Sequence, residues 1–217
     1  SEEGRGGEKC KNWGAPHLLK KFALTLVSLA SVALLAACGE VSTTGNSGSA
    51  SGTEIGKTLK IGFNFEETGD VASYGTAEKT AKLAVDEINK AGGVDGKQIE
   101  ITDKDNKSEL SEASTVSTNL VTQAKVNAII GPATSGGTGA AITNAAKASV
   151  PLVTPSGTQD DLTKGQDYLF RATFIDSFQG KILSKYVTDN LKAKKVVLYY
   201  DNSSDYAKGI AKAFQEE

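Results

Sequence analysis

The sequence predicts an α/β fold with a parallel sheet flanked by helices. Three observations predict it. Short apolar runs alternate with amphipathic stretches from Leu59 to Phe214. Glycine is frequent, at 23 of 217 residues, while aromatics make up 6%, which suits a loop-rich α/β chain better than an all-β one. Two strand-like runs, Asn127–Gly131 and Pro151–Thr154, each end in a loop of small polar residues. Right-handed crossovers would bring such loops side by side at the strands' carboxyl ends, where ligands bind in open α/β sheets.

The elements follow in order. Leu59–Phe65 (LKIGFNF) reads as the first strand, and Glu66–Tyr74 as a polar loop. Thr76–Ala91 has Ala77, Ala81, Ala84, Val85 and Ile88 at helical spacing, with Glu78 on the polar side, and Gly92-Gly93 stops it. Gln98–Thr102 alternates as a strand, and Ser111–Lys125 turns Ala113, Val116, Leu120, Val121 and Ala124 to one side as a helix. After Asn127–Gly131 comes the loop Pro132–Thr138, then a small-residue helix, Ala140–Ala148. Tyr168–Thr173 is the next strand, and Ser177–Asn190 a helix with Phe178, Ile182, Tyr186 and Val187 inward. Lys195–Tyr200 (KVVLYY) reads as a buried strand, and Tyr206–Phe214 as a helix with Ala207, Ile210, Ala211 and Phe214 on one side.

The first 56 residues differ in kind. Residues 1–18 form an atypical extension carrying the only Trp, Trp13. Lys20-Lys21, the apolar run Phe22–Leu34 and the ending Leu35-Ala36-Ala37-Cys38 describe a secretory signal over residues 19–38. Leu-Ala-Ala-Cys resembles the lipobox of bacterial lipoproteins, which implies diacylglycerol attachment to Cys38. Gly39–Gly56 is Gly/Ser/Thr-rich and reads as a flexible linker. From Cys38 onward 19 basic and 23 acidic residues leave a net charge of −4. An acidic body does not hold an anionic membrane surface, so attachment would rest on the lipid.

Composition narrows the chemistry. A whole-chain charge of −2 offers no basic face for nucleic acid. Cys10, Cys38 and His17 all precede the globular part, so nucleophilic schemes needing Cys or His there are excluded. No nucleophile–base pair is apparent, and an enzyme is not expected. The acidic pairs Glu66-Glu67, Asp103/Asp105 and Asp160-Asp161 read as solvated turns; no metal and no cofactor are expected.

Two loops carry the candidate site. Gly131–Gly139 (GPATSGGTG) invites a phosphate-loop comparison, but that pattern needs Lys where Gly137 stands. It is either a plain helix start or a carboxylate site in which Ser135 and nearby N–H groups meet an anion at a helix N-terminus. Pro155-Ser156-Gly157-Thr158 is either a plain turn or a site in which Thr158 offers a hydroxyl and an N–H and the Ser156 carbonyl accepts from an ammonium. Tyr74 and Tyr206 each follow a predicted strand, as surface aromatics or as lining of the same crevice.

Several ordered segments point to a family: Tyr74-Gly75, AVDEINKAGGVDGKQIE (84–100), IIGPATSGGT, PLVTPSGT, LTKGQDYLFRATFIDSFQG and VVLYYDNSSDYAKG. Together they resemble the branched-chain amino-acid-binding proteins of bacterial ABC transporters, which are type I periplasmic-type binding proteins. The resemblance covers 57–217. It implies two α/β lobes closing on an aliphatic amino acid (Leu, Ile or Val) that is passed to ABC permease subunits. With Cys38 it implies a lipid-anchored protein on the extracytoplasmic face of the cell membrane; an amino-acid or amide sensor on the same fold is the alternative. The implied ligand residues are Ser135 and Thr158 for the carboxylate, the Ser156 carbonyl and Thr158 for the ammonium, Gly157 between them, Tyr74 and Tyr206 along the pocket and cleft, and Asp176 near the crossing to the second lobe. Family members are longer. The chain is therefore expected to be truncated, with lobe I over 57–175 nearly entire and lobe II only begun over 176–217.

Overall fold

The computed structural model describes residues 53–217. The expected extension (1–18), the expected signal (19–38) with Cys38, and the expected linker as far as residue 52 lie outside the described residues.

Five strands form one parallel sheet: β1 (Leu59–Phe65), β2 (Ile99–Asp105), β3 (Ala128–Ile130), β4 (Leu152–Thr154) and β5 (Leu169–Arg171), in the order β2-β1-β3-β4-β5. The chain winds outward from β1 to β2, then returns to place β3 on the other side of β1. That reversal opens a crevice at the carboxyl ends of β1 and β3.

Period-two alternation in β1 sorts the core into two halves. Phe63 and Phe65 face one side, where Val85, Ala77 and Ala81 of α1 (Thr76–Lys90) pack on them with Ile99 and Ala133. Gly62 and Asn64 face the other side. A side chain at Gly62 would meet Leu120 at 2.9 Å, and Asn64 donates to the Ala113 carbonyl at 2.9 Å. This second half holds Val116 of α2 (Leu110–Asn119) with Leu120, and Ala141, Ile142 and Ala145 of α3 (Ser135–Lys147), on Ile129, Leu152 and Leu169.

Four readings of the sequence need correction. The buried face of α1 is rotated: Ala84 and Ile88 are exposed, while Glu78 is buried against Lys82. Glu78 is buried with its charge met by Lys82 four residues on, whose own side chain stays half-exposed, and hydropathy spacing does not register such a pair. α3 begins at Ser135, not Ala140, because Thr134 caps it by accepting from the Gly137 N–H at 3.2 Å, offsetting two glycines in the first turn. α4 (Asp176–Lys185) exposes Phe178 and Ile182 and buries Gly180 and Ser184. It packs through these small residues on α5 (Asp205–Glu216), where a Cβ on Gly180 would lie 2.5 Å from that of Ala213. Lys195–Tyr200 forms no strand and pairs with none among the described residues, with Val197 91% and Tyr199 100% exposed. A strand without a neighbour has no ladder to join. Val196, Leu198, Tyr199 and Tyr200 of this segment border an open apolar cavity of about 460 Å³ with Leu183, Val187 and Phe214.

Candidate functional site

The loops after β1, β3, β4 and β5 meet at the crevice. Ser135 opens α3 and is buried; its Oγ accepts from the Gln159 N–H at 3.2 Å. A hydroxyl that accepts there keeps its own proton to donate.

Hydrogen bonds hold the loop after β4 from Ser156 to Gln159. Gly157 N–H donates to Thr154 Oγ1 at 2.9 Å, and Ser156 Oγ donates to the Ala133 carbonyl at 2.7 Å. The Thr158 carbonyl accepts from the Asp176 N–H at 2.9 Å. Arg171 Nη1 reaches the carbonyls of Gln159 at 2.6 Å and Gly157 at 3.4 Å. In a trans peptide the C=O and N–H point opposite ways. The Ser156 carbonyl therefore points away from Thr154, and the Thr158 N–H away from Arg171. Neither has a protein partner among the described residues. The Ser156 carbonyl and the Thr158 N–H are thus left free on one loop.

Asp176 completes this wall. It is 1% exposed, and neither carboxylate oxygen has a hydrogen-bond partner of normal geometry; the same holds for the buried Thr158 Oγ1. Burial pushes the Asp176 carboxyl up, the nearby Thr158 hydroxyl draws it down, Asp160 adds to the rise and Arg171 opposes it. One Asp176 oxygen faces Gly209 of α5, where a Cβ would lie 2.6 Å from it. Tyr206, on the first turn of α5, is raised by burial, then by Asp176 and Tyr74. The structure thus brings Ser135, Ser156, Gly157, Thr158 and Asp176 together and sets Tyr206 and Tyr74 beside them, both tyrosines substantially exposed.

Two residues escaped the sequence reading. Glu66 is not a solvated turn residue but is 1% exposed. Its carboxylate accepts from Ala133 N–H at 3.0 Å, Thr134 N–H at 3.2 Å and Thr134 Oγ1 at 2.8 Å. Its place directly after a strand beside the switch point was the available signal. Arg171, ending β5, was read only as part of a strand. Asp105 is also engaged, accepting from the Glu67 N–H at 3.0 Å and from Thr68. Further out, Glu67, Glu78 and Asp103 bring carboxylate oxygens within 4.8 Å of one another. Lys82 pairs with both Glu78 and Asp103, so an ammonium already serves this cluster. Burial, then Asp103 and Glu78, push Glu67 up to about 7.

Comparison with known proteins agrees with this architecture. Residues 58–217 match the family model described as periplasmic binding protein, and the chain belongs to that family. Its fold is the type I periplasmic-binding-protein fold. Among curated relatives, a Leu/Ile/Val-binding protein of Rhizobium johnstonii is 35% identical over 159 residues, 72% of this chain and 43% of that protein. Among solved structures, a branched-chain amino acid transporter substrate binding protein of Streptococcus pneumoniae in complex with isoleucine is 72% identical, with a TM-score of 0.72 over 73% of this chain and 46% of that one. An ABC-transporter solute binding protein of Rhodopseudomonas palustris in complex with 3,4-dihydroxybenzoic acid is 26% identical, with a TM-score of 0.68 over 74% and 44%. The chain spans less than half the length of these relatives. Among the described residues no helix is long and apolar enough to cross a membrane.

Proposed function

We propose that this chain supplies one wall of the ligand site of a solute-binding lipoprotein that captures branched-chain amino acids for an ABC importer, and that it is not an enzyme. The observation that carries the reading is the pairing of free groups: the Thr158 N–H, the Thr158 and Ser135 hydroxyls for a carboxylate, and the Ser156 carbonyl with the unpartnered Asp176 carboxylate for an ammonium. The relatives whose names mention Leu, Ile and Val support it. An aromatic acid, the ligand of the Rhodopseudomonas protein, has the carboxylate but no ammonium to meet Asp176. Burying that carboxylate without a cation is costly, so an amino acid fits better.

The test is an amide NMR titration of this chain with leucine, isoleucine, valine and 3,4-dihydroxybenzoate. The branched-chain amino acids are expected to shift the amides of Ser135, Gly157 and Thr158. Shifts with the aromatic acid alone, or with no compound at millimolar concentrations, would refute the reading. For anchoring, Cys38 is proposed as the lipidated residue; labelled fatty acid should be incorporated in cells and lost in Cys38→Ser.

A further inference from the structure

We propose that Arg171 is the positioning residue that aims the Thr158 N–H into the ligand crevice; this rests on the amino-acid reading above. Arg171 is half-buried, yet it makes no ion pair within 4 Å among the described residues. Its guanidinium is spent on the carbonyls of Gly157 and Gln159, the two that flank Thr158. Both contacts are made by Nη1, whose two N–H groups lie in the fixed guanidinium plane, an orientation that a freely rotating ammonium holds less well.

The consequence follows from peptide planarity. Gly157 C=O and Thr158 N–H belong to one peptide unit and point in opposite directions. Drawing the carbonyl towards Arg171 turns the N–H towards the open side. The neighbouring units are already tied, Gly157 N–H to Thr154 and Thr158 C=O to Asp176 N–H. Arg171 thus restrains the unit that carries the free Thr158 N–H. It also leaves a positive charge behind the loop, which favours the ionised form of Asp176. Arg171 touches no ligand in this arrangement; it acts through Thr158.

Arg171→Gln and Arg171→Lys are to be compared with the unsubstituted chain, first without ligand and then with leucine and leucinamide, which lacks the α-carboxylate. Without ligand, Arg171→Gln is expected to move the Thr158 amide resonance and speed its hydrogen exchange, with Arg171→Lys intermediate. With ligand, leucine affinity is expected to fall on the order of tenfold, the loss of one charge-assisted hydrogen bond. Leucinamide affinity should change much less. An unchanged Thr158 amide in Arg171→Gln overturns the proposal even if no ligand binds, so its failure is separable from failure of the amino-acid reading. Equal losses for leucine and leucinamide also overturn it, since they mark a general loss of structure.

Discussion

Replacing Glu66 by alanine removes the acceptor for three donors at the start of α3. The Ala133 N–H is the most exposed to loss, because Ala133 is 3% exposed and its bond to Glu66 is 3.0 Å. Leaving a buried donor unpaired costs about 1–3 kcal/mol. The Thr134 N–H and hydroxyl are only part-buried, and water can recover part of their loss. Against this stands relief from burying a carboxylate, which offsets some of the loss. The net expectation is a destabilisation of about 2–4 kcal/mol. For a domain of this size that lowers Tm by roughly 5–15 °C. Urea denaturation followed by circular dichroism gives the free energy directly, and the slope should not change. Glu66→Gln keeps one acceptor oxygen and should fall between. A loss below about 0.5 kcal/mol in Glu66→Ala, the size of an ordinary surface change, would refute the assignment of Glu66 as the tie between β1 and α3.

Three other outcomes are expected. Glu67, pushed up to about 7 from 4.5 by burial and its acidic neighbours, keeps its proton in the folded chain after the unfolded chain has lost it. Stability should therefore fall as pH rises from about 4.5 to about 7 and then level off; Glu67→Gln should flatten that slope in denaturation curves taken across the window. Gly180→Val places a Cβ 2.5 Å from that of Ala213 and so must separate α4 from α5; hydrogen exchange should quicken in both helices by an amount equivalent to about 1–3 kcal/mol, leaving the sheet protected. Val197→Lys and Tyr199→Lys alter side chains already in solvent, so stability should change by less than about 0.5 kcal/mol, while binding of an apolar dye declines in Tyr199→Lys, which borders the cavity, and not in Val197→Lys, which does not.

What was legible in the sequence was whatever hydrophobic period and glycine punctuation encode. β1 and the two small-residue loops were readable because their neighbours along the chain explain them. Ser135, Ser156 and Thr158 stood out for the same reason: small polar residues directly after apolar runs. Glu66 had only its place after β1 to mark it and Arg171 had nothing, since their partners are carbonyls and N–H groups brought to them by other segments. The outward face of α4 was misread because its contact with α5 runs through Gly180 and Ala213, residues whose value is smallness rather than hydropathy. Lys195–Tyr200 shows the converse error: β propensity without a pairing partner produces no strand.

On the proposed reading, the site separates two tasks, and the separation is measurable. Ser135, Ser156, Thr158 and Asp176 offer hydroxyls, a carbonyl, an N–H and a carboxylate, none of which distinguishes one aliphatic side chain from another. They read the α-carboxylate and α-ammonium alone. Tyr74 and Tyr206 lie beside them with broad apolar faces and contribute no second carboxylate or ammonium group. Thr158→Ala or Asp176→Asn should thus weaken Leu, Ile and Val alike, on the order of tenfold or more for a hydrogen bond to a charged group. Tyr206→Ala should instead change the spacing between Val and the two larger ligands, since Val has one methylene fewer than Leu or Ile and each is worth about 0.8 kcal/mol when buried. Competition titrations read by amide NMR would give both quantities. A Thr158→Ala chain that changes this spacing while Tyr206→Ala weakens all three equally would show that the roles are reversed.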